Sequence, residues 1–329
     1  MSSAASQVMV PGYRHLSGHH CGSTALRNLF AFHGVEISEE FAFGLGAGAC
    51  FYYVARPEIS PTRWFNGRVA QLEQNFRELT GETIRLRTFP DRDDAWDAAR
   101  AEVDAGRPAL LLTDLYYLDH YGRSAHFPGH AVVLAGYDDA TAYLSDTAFE
   151  ELQETSLESL ADARHGDHPV FPLAGHMFTV ENGTERERLA RAVPAAVARA
   201  AEQMIEPELG EYAGLPAVAR LAEEAGSWPE ETEDWRWCAR FAHQVIERRG
   251  TGGGNFRLMY SRFLSETGYP QAGLAAEAAA RWTALAASFF AASERDEPDA
   301  ALWSEIGRAA EACRDAEERL WTELAAASR

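Results

Sequence analysis

The chain contains no lysine. All 30 of its basic residues are arginine, against 50 acidic residues, for a formal net charge of −20. Arginine in place of lysine, together with abundant alanine, reflects a GC-rich coding sequence more than a function. A protein this acidic repels phosphate backbones and anionic membranes, which argues against nucleic acid and against a lipid surface as partners. The same field attracts cations such as a polyamine or an amino sugar, although solvated surface charge is the simpler account of the composition.

Cysteine is scarce as well. The four cysteines, Cys21, Cys50, Cys238 and Cys313, form no CxxC or CxxxH pattern, which excludes a disulfide scaffold and a zinc ribbon. His19, His20, Cys21, His126 and His130 are suitable ligand types, but no pair of them has a zinc spacing, so no metal is expected. No apolar run is long enough to cross a bilayer. The first residues, "MSSAASQVMVPGYRHLSG", lack the basic start and apolar core of a signal peptide. These absences together predict a cytoplasmic protein with reduced thiols.

What is present is a globular chain of 329 residues, 46% of them hydrophobic, long enough for about two domains. Residues 1–182 mix helical and strand patterns. "CGSTALRNLFAFHG" and "GRVAQLEQNFRELTG" space their apolar residues as helices do, each ending in glycine. "TIRLRTF" alternates, "RPALLLTD" is a short apolar run, and "HAVVLAGYDDATAYLSDT" reads as two strands about a polar turn at Asp138 to Thr141. From residue 183 to 329 the strand patterns vanish and every periodic segment is helical, with Pro194 interrupting the first. The predicted fold class is therefore α+β, followed by an all-α C-terminal domain.

Cys21 opens a helix, where the dipole favours the thiolate, the reactive form of the thiol. A thiol nucleophile needs a base and a group that orients the base. His130 opens the apolar strand and Asp146 closes the strand that returns, so both lie at one end of the same hairpin. An idealised register leaves Asp146 a few positions from His130, which requires a diagonal approach or a bulge. Cys238 and Cys313 read as buried helix residues. Cys50 reads as the turn into a core strand, or as part of a glycine loop close to a ligand. Asp138 and Asp139 fit an exposed turn. "GTGGGNFRLMYSRFL" feeds a helix but lacks GK[ST], so it is not a phosphate-binding P-loop. It either fixes the two domains together or lines the cleft, with Asn255 and Arg257 meeting a carboxylate or phosphate.

The blocks "HHCGSTALRNLFAFHG", "FGLGAGACFYYV", "PGHAVVLAGYD" and "GTGGGNFRLMYSRFL" resemble the family of butirosin biosynthesis protein H, over most of the chain. That resemblance implies a papain-like cysteine enzyme domain over 1–182, and over 183–329 a helical domain that completes or covers the substrate cleft. It implies an acyltransferase with Cys21, His130 and Asp146 as its catalytic set. The family's namesake moves an amino-acyl group from a carrier-protein thioester to an amine of an aminoglycoside. The implied partners are thus an acyl carrier protein and an amine-bearing small molecule or peptide. The protein itself needs no cofactor, since phosphopantetheine would belong to the donor.

Docking of an acidic carrier would require a local arginine patch, from Arg56, Arg63 and Arg68 or from Arg85 and Arg87. Otherwise the donor is a small thioester or a peptide. Papain-like enzymes often place a glutamine about six residues before the cysteine; here His15 stands there, leaving His15, His19 or His20 as an oxyanion donor beside the Cys21 backbone N–H. The same residues serve a cysteine hydrolase, either a peptidase or an amidase, and a noncatalytic binding module could retain the fold. The helical surfaces also admit a homodimer.

Overall fold

A computed structural model describes residues 7–168 and 171–327. In chain order its main elements are β1 (Val8–Met9), α1 (Cys21–Phe32), α2 (Glu39–Leu45), β2 (Ala49–Ala55), β3 (Arg63–Arg68), α3 (Leu72–Leu79), β4 (Ile84–Arg87), α4 (Arg92–Asp104) and β5 (Ala109–Asp114). There follow β6 (Pro128–Tyr137), β7 (Thr141–Ser145), β8 (Gln153–Ser156), α5 (Leu157–Arg164), β9 (Met177–Val180), α6 (Arg186–Ala190), α7 (Val193–Ile205) and α8 (Gly214–Glu224). The last are α9 (Trp228–Glu231), α10 (Trp235–Glu247), α11 (Arg257–Glu266), α12 (Ala272–Ser293) and α13 (Ala300–Ala327).

The fold is α+β, with a C-terminal region whose regular elements among the described residues are all helices. Two compact units form. One takes the chain through Ala42 and then Ala70–Arg191; the other takes Phe43–Val69 and the chain from Ala192 on. This grouping differs from the expected division at residue 182 in placing 43–69 with the C-terminal helices. The segment 43–69 belongs with the helical unit because its strands supply the carbonyls that a buried arginine there requires. No helix among the described residues is long and apolar enough to cross a membrane.

The first unit is built on an antiparallel sheet of order β4-β9-β5-β6-β7-β8, with β1 also paired to β6. β5 and the body of β6 are buried residue after residue, which explains why they read as unbroken apolar runs rather than as alternation. On one face Leu111, Val132 and Leu134 pack with Ala99 and Val103 of α4 and with Leu160 and Ala163 of α5. Helix α1 also packs on the sheet, against β5 and β6. Its Leu26, Leu29 and Phe30 are completely buried, each worth about 1.5–3 kcal/mol of transfer free energy. The helix ends where Gly34 turns left-handed at φ +77° and donates to the Ala31 carbonyl.

In the second unit the β2–β3 hairpin pairs antiparallel, and the rings of Phe51 and Phe65 pack at a tilt against Trp282 of α12. Pro194 lies in the first turn of α7, where its missing N–H costs nothing. It separates α6 from α7 as the sequence pattern predicts.

Candidate active site

Helix α1 begins at Cys21 because His20 caps it: the His20 Nδ1 accepts the Ser23 N–H at 3.2 Å. The preceding backbone is fixed by the buried Glu39, whose carboxylate accepts the His19 N–H at 2.9 Å and the His20 N–H at 2.7 Å. Gly18 must be glycine in this loop. A side chain there would collide with Thr24 and Glu39, and its N–H donates to the Thr147 carbonyl at 3.1 Å. The loop that delivers the thiol is thereby tied to the segment that follows Asp146.

His130 and Asp146 meet as the hairpin reading requires. His130 is on β6, and Asp146 directly follows β7. The β6–β7 register is irregular between Leu134 and Gly136, and Ser145 stands opposite Val133. Asp146 therefore reaches His130 along the diagonal, and its Oδ2 accepts the His130 Nε2–H at 2.9 Å. The Cys21 side chain interacts with the same imidazole and helps to raise its pKa. With Nε2 engaged by the carboxylate, Nδ1 is the nitrogen that remains for the sulfur. Asp146 has no solvent exposure, His130 has 5%, and Cys21 is partly exposed.

Burial works against charge on both partners, and the pair overcomes it. Desolvation alone would lower the pKa of His130, but the charge of Asp146, its hydrogen bond and the Cys21 sulfur raise it to about 10. Burial alone would raise Asp146. The charge of His130 and the N–H bonds from His120 and His130 instead hold its carboxyl far below the usual range.

His120 and Tyr121 were not legible as site residues in the sequence. They lie in a short 3₁₀ turn, Asp119–Tyr121, inside the long connection between β5 and β6. Asp114 pins the ends of that connection, accepting the Tyr116 and Phe127 N–H groups and the His126 ring. Asp119 pins its middle, accepting the Ser156 N–H at 2.8 Å and the Ser159 hydroxyl at 2.7 Å. Thus held, His120 Nε2 donates to Asp146 Oδ2 at 3.1 Å, and the Tyr121 hydroxyl donates to Oδ1 at 3.1 Å. Phe149 closes over both rings.

The remaining expected site residues do other work. His15 is not an oxyanion donor: its Nδ1 is bonded to the Ser145 hydroxyl at 2.7 Å, and its Nε2 donates to the Phe149 carbonyl at 2.8 Å. Both nitrogens are engaged in clamping the nucleophile loop to the strand end that carries Asp146. His20 serves as the helix cap. Arg257 and Asn255 have no solvent exposure, and the Arg257 guanidinium is engaged by Glu317 and by the carbonyls of Cys50, Gly67 and Asn255 rather than held open for an anion. Asn255 packs its amide directly against Gly67. Cys50 is a buried residue of β2.

Of the arginines proposed for docking, Arg63 is paired with Glu231 at 3.0 Å, Arg85 with Glu181 at 2.7 Å and Arg87 with Glu102 at 2.7 Å. Among the described residues no three His, Cys, Asp or Glu side chains are arranged to hold a metal ion.

Two family models match the chain. Butirosin biosynthesis protein H, N-terminal, covers residues 20–147, which include Cys21, His130 and Asp146. A domain of unknown function, DUF4872, covers residues 158–324. No curated protein matches the chain. Among solved structures, a C39-like peptidase from Bacillus anthracis is similar at 13% identity with a TM-score of 0.37, over 54% of this chain and 99% of that one.

Proposed function

Since the chain belongs to the butirosin biosynthesis protein H family, we propose that it is a cysteine-dependent acyltransferase of specialised metabolism, forming an amide through acyl-Cys21. The observation that supports this reading is the continuous line from the Cys21 thiol through His130 to Asp146. His130 takes the thiol proton, and Asp146 stabilises the imidazolium. The sulfur attacks the carbonyl of the donor thioester, with the helix N-terminus placing partial positive charge beside the developing oxyanion. The carbon–sulfur bond of the donor then breaks, and the departing thiol takes its proton from His130. An amine attacks acyl-Cys21 and gives a proton to His130. The new carbon–nitrogen bond forms as the Cys21 carbon–sulfur bond breaks, and the thiol is regenerated.

Transfer to an amine rather than to water requires that water be kept away. The burial of His130 and Asp146 under Tyr121 and Phe149 supports this. The net charge of −20 favours a cationic amine as acceptor. The glutamate partners of Arg63, Arg85 and Arg87 leave those residues poorly suited to an acidic carrier protein, so a small thioester is the favoured donor.

The test is intact mass after incubation with N-acetylcysteamine thioesters, and separately with acyl carrier-protein thioesters. The expected result is a mass increment, absent in Cys21→Ala, that an added polyamine or aminoglycoside discharges faster than water does. Discharge by water at one rate whatever amine is added would make the protein a hydrolase. No increment from any donor would overturn the enzyme reading.

A further inference from the structure

Asp146 Oδ2 accepts from two imidazoles at once, His130 Nε2 at 2.9 Å and His120 Nε2 at 3.1 Å. An ionised carboxylate only accepts, so both rings must carry their proton on Nε2. The two Nδ1 atoms then differ. That of His130 is the nitrogen left for its interaction with Cys21, whereas that of His120 is buried without a hydrogen-bond partner. The ring of His120 has 6% side-chain exposure. Burying an imidazole with one nitrogen unsatisfied is unfavourable, and the bond to Asp146 is the polar interaction its placement secures.

We propose that His120 is a positioning residue of the Cys21 centre: it shares the Asp146 carboxylate with His130 and so limits how tightly that carboxylate holds the His130 imidazolium. Two N–H donors on one carboxylate oxygen draw on the same negative charge, so each is held less tightly than it would be alone. His120 thereby keeps His130 able to release its proton to a departing thiol, the step on which the proposed transfer depends. The groups facing this cluster are Cys21 from α1, His120 and Tyr121 from the 3₁₀ turn, His130 from β6, and Asp146 with the Ala148 N–H after β7. His130 faces Asp146 and Cys21, and Asp146 faces both imidazoles.

The inference takes its catalytic meaning from the proposed acyl transfer, but its test needs no turnover. Nitrogen-15 NMR follows the titration of the His130 ring in wild type, His120→Leu, His120→Gln and Tyr121→Phe. Removing the competing donor in His120→Leu is expected to move the His130 midpoint upward by about one pH unit. His120→Gln, whose amide N–H reaches the place of the imidazole Nε2, is expected to keep the wild-type midpoint. Tyr121→Phe, which relieves the other oxygen, is expected to move it upward by less.

An unchanged or lowered midpoint in His120→Leu overturns the proposal. So does an equal shift in His120→Gln, which would make the ring a packing element. If His120→Leu fails to fold, His120→Asn, too short to reach the carboxylate, takes its place in the comparison. A normal NMR result without an acyl adduct would leave the positioning role intact and fail the acyltransferase reading alone.

Discussion

Each unit buries a carboxylate beside a basic group, and the two arrangements are opposites. In the second unit Glu317 accepts Arg257 Nε at 2.8 Å and Nη2 at 3.0 Å, together with the indole N–H groups of Trp282 and Trp321. Arg257 Nη1 donates to the carbonyls of Cys50, Gly67 and Asn255. Both carboxylate oxygens and all three guanidinium nitrogens are engaged, both residues have zero exposure, and the cluster is complete without a ligand. In the first unit the ionic line ends on a thiol that is partly exposed, and one neighbouring imidazole nitrogen has no partner. A closed set of hydrogen bonds holds a fold together; a set that ends on a reactive atom can take part in chemistry. Arginine near a glycine loop suggested anion binding in the sequence, but the internal partners of Arg257 rule that out.

Substitutions should separate the two clusters. The largest effect belongs to Cys21→Ala, which is expected to abolish the acyl adduct by mass spectrometry while leaving the urea midpoint close to wild type. An adduct that survives would place the nucleophile elsewhere. Glu317→Ala should do the reverse, lowering stability by about 3–5 kcal/mol because the Arg257 charge stays buried without its partner. Urea denaturation measures this, and a double variant with Arg257→Met should recover part of the loss.

Asp146→Asn should reduce kcat/KM by about 10²-fold or more, roughly 3 kcal/mol in the transition state. It should also move the pH profile. In wild type the protonated His130 is present below its raised pKa, so activity should fall as pH rises through about 10. Without the Asp146 charge, burial dominates and the same limb should shift to lower pH. A limb that stays in place would detach Asp146 from His130. The smallest effect is expected for Arg85→Ala, whose side chain is 64% exposed in its pair with Glu181; such pairs contribute about 0–1 kcal/mol. A large loss of acyl transfer from a carrier-protein donor would reinstate that arginine as a docking contact.

The sequence made some of this legible for a physical reason. The Cys21 helix and the His130–Asp146 hairpin are local: apolar spacing, a capping residue and a polar turn specify them within a few residues. The turn at Asp138 closes as the pattern indicates, its carboxylate accepting the Ala140 and Thr141 N–H groups at 2.9 Å. What could not be read was non-local. His120 sits in a connection with no periodicity and is placed by Asp119 reaching to Ser156 and Ser159. Glu39 supports the backbone before Cys21 from a separate helix. His15 stood at the right spacing for an oxyanion donor, yet spacing cannot reveal that Ser145 and Phe149 occupy both its nitrogens. The membership of 43–69 in the second unit depends on partners near residue 257.

That last pairing bears on the order of synthesis. Arg257 is separated by 207 residues from the Cys50 carbonyl and by 190 from that of Gly67. When the hairpin leaves the ribosome, the helices that will cover Phe51 and Phe65 have not yet been translated. The nascent chain must carry two exposed aromatic rings until its final third emerges, a period in which sticky intermediates gather or chaperones engage. A polypeptide halted at residue 191 should therefore sediment as aggregate even though the sheet bearing His130 is entirely encoded within it.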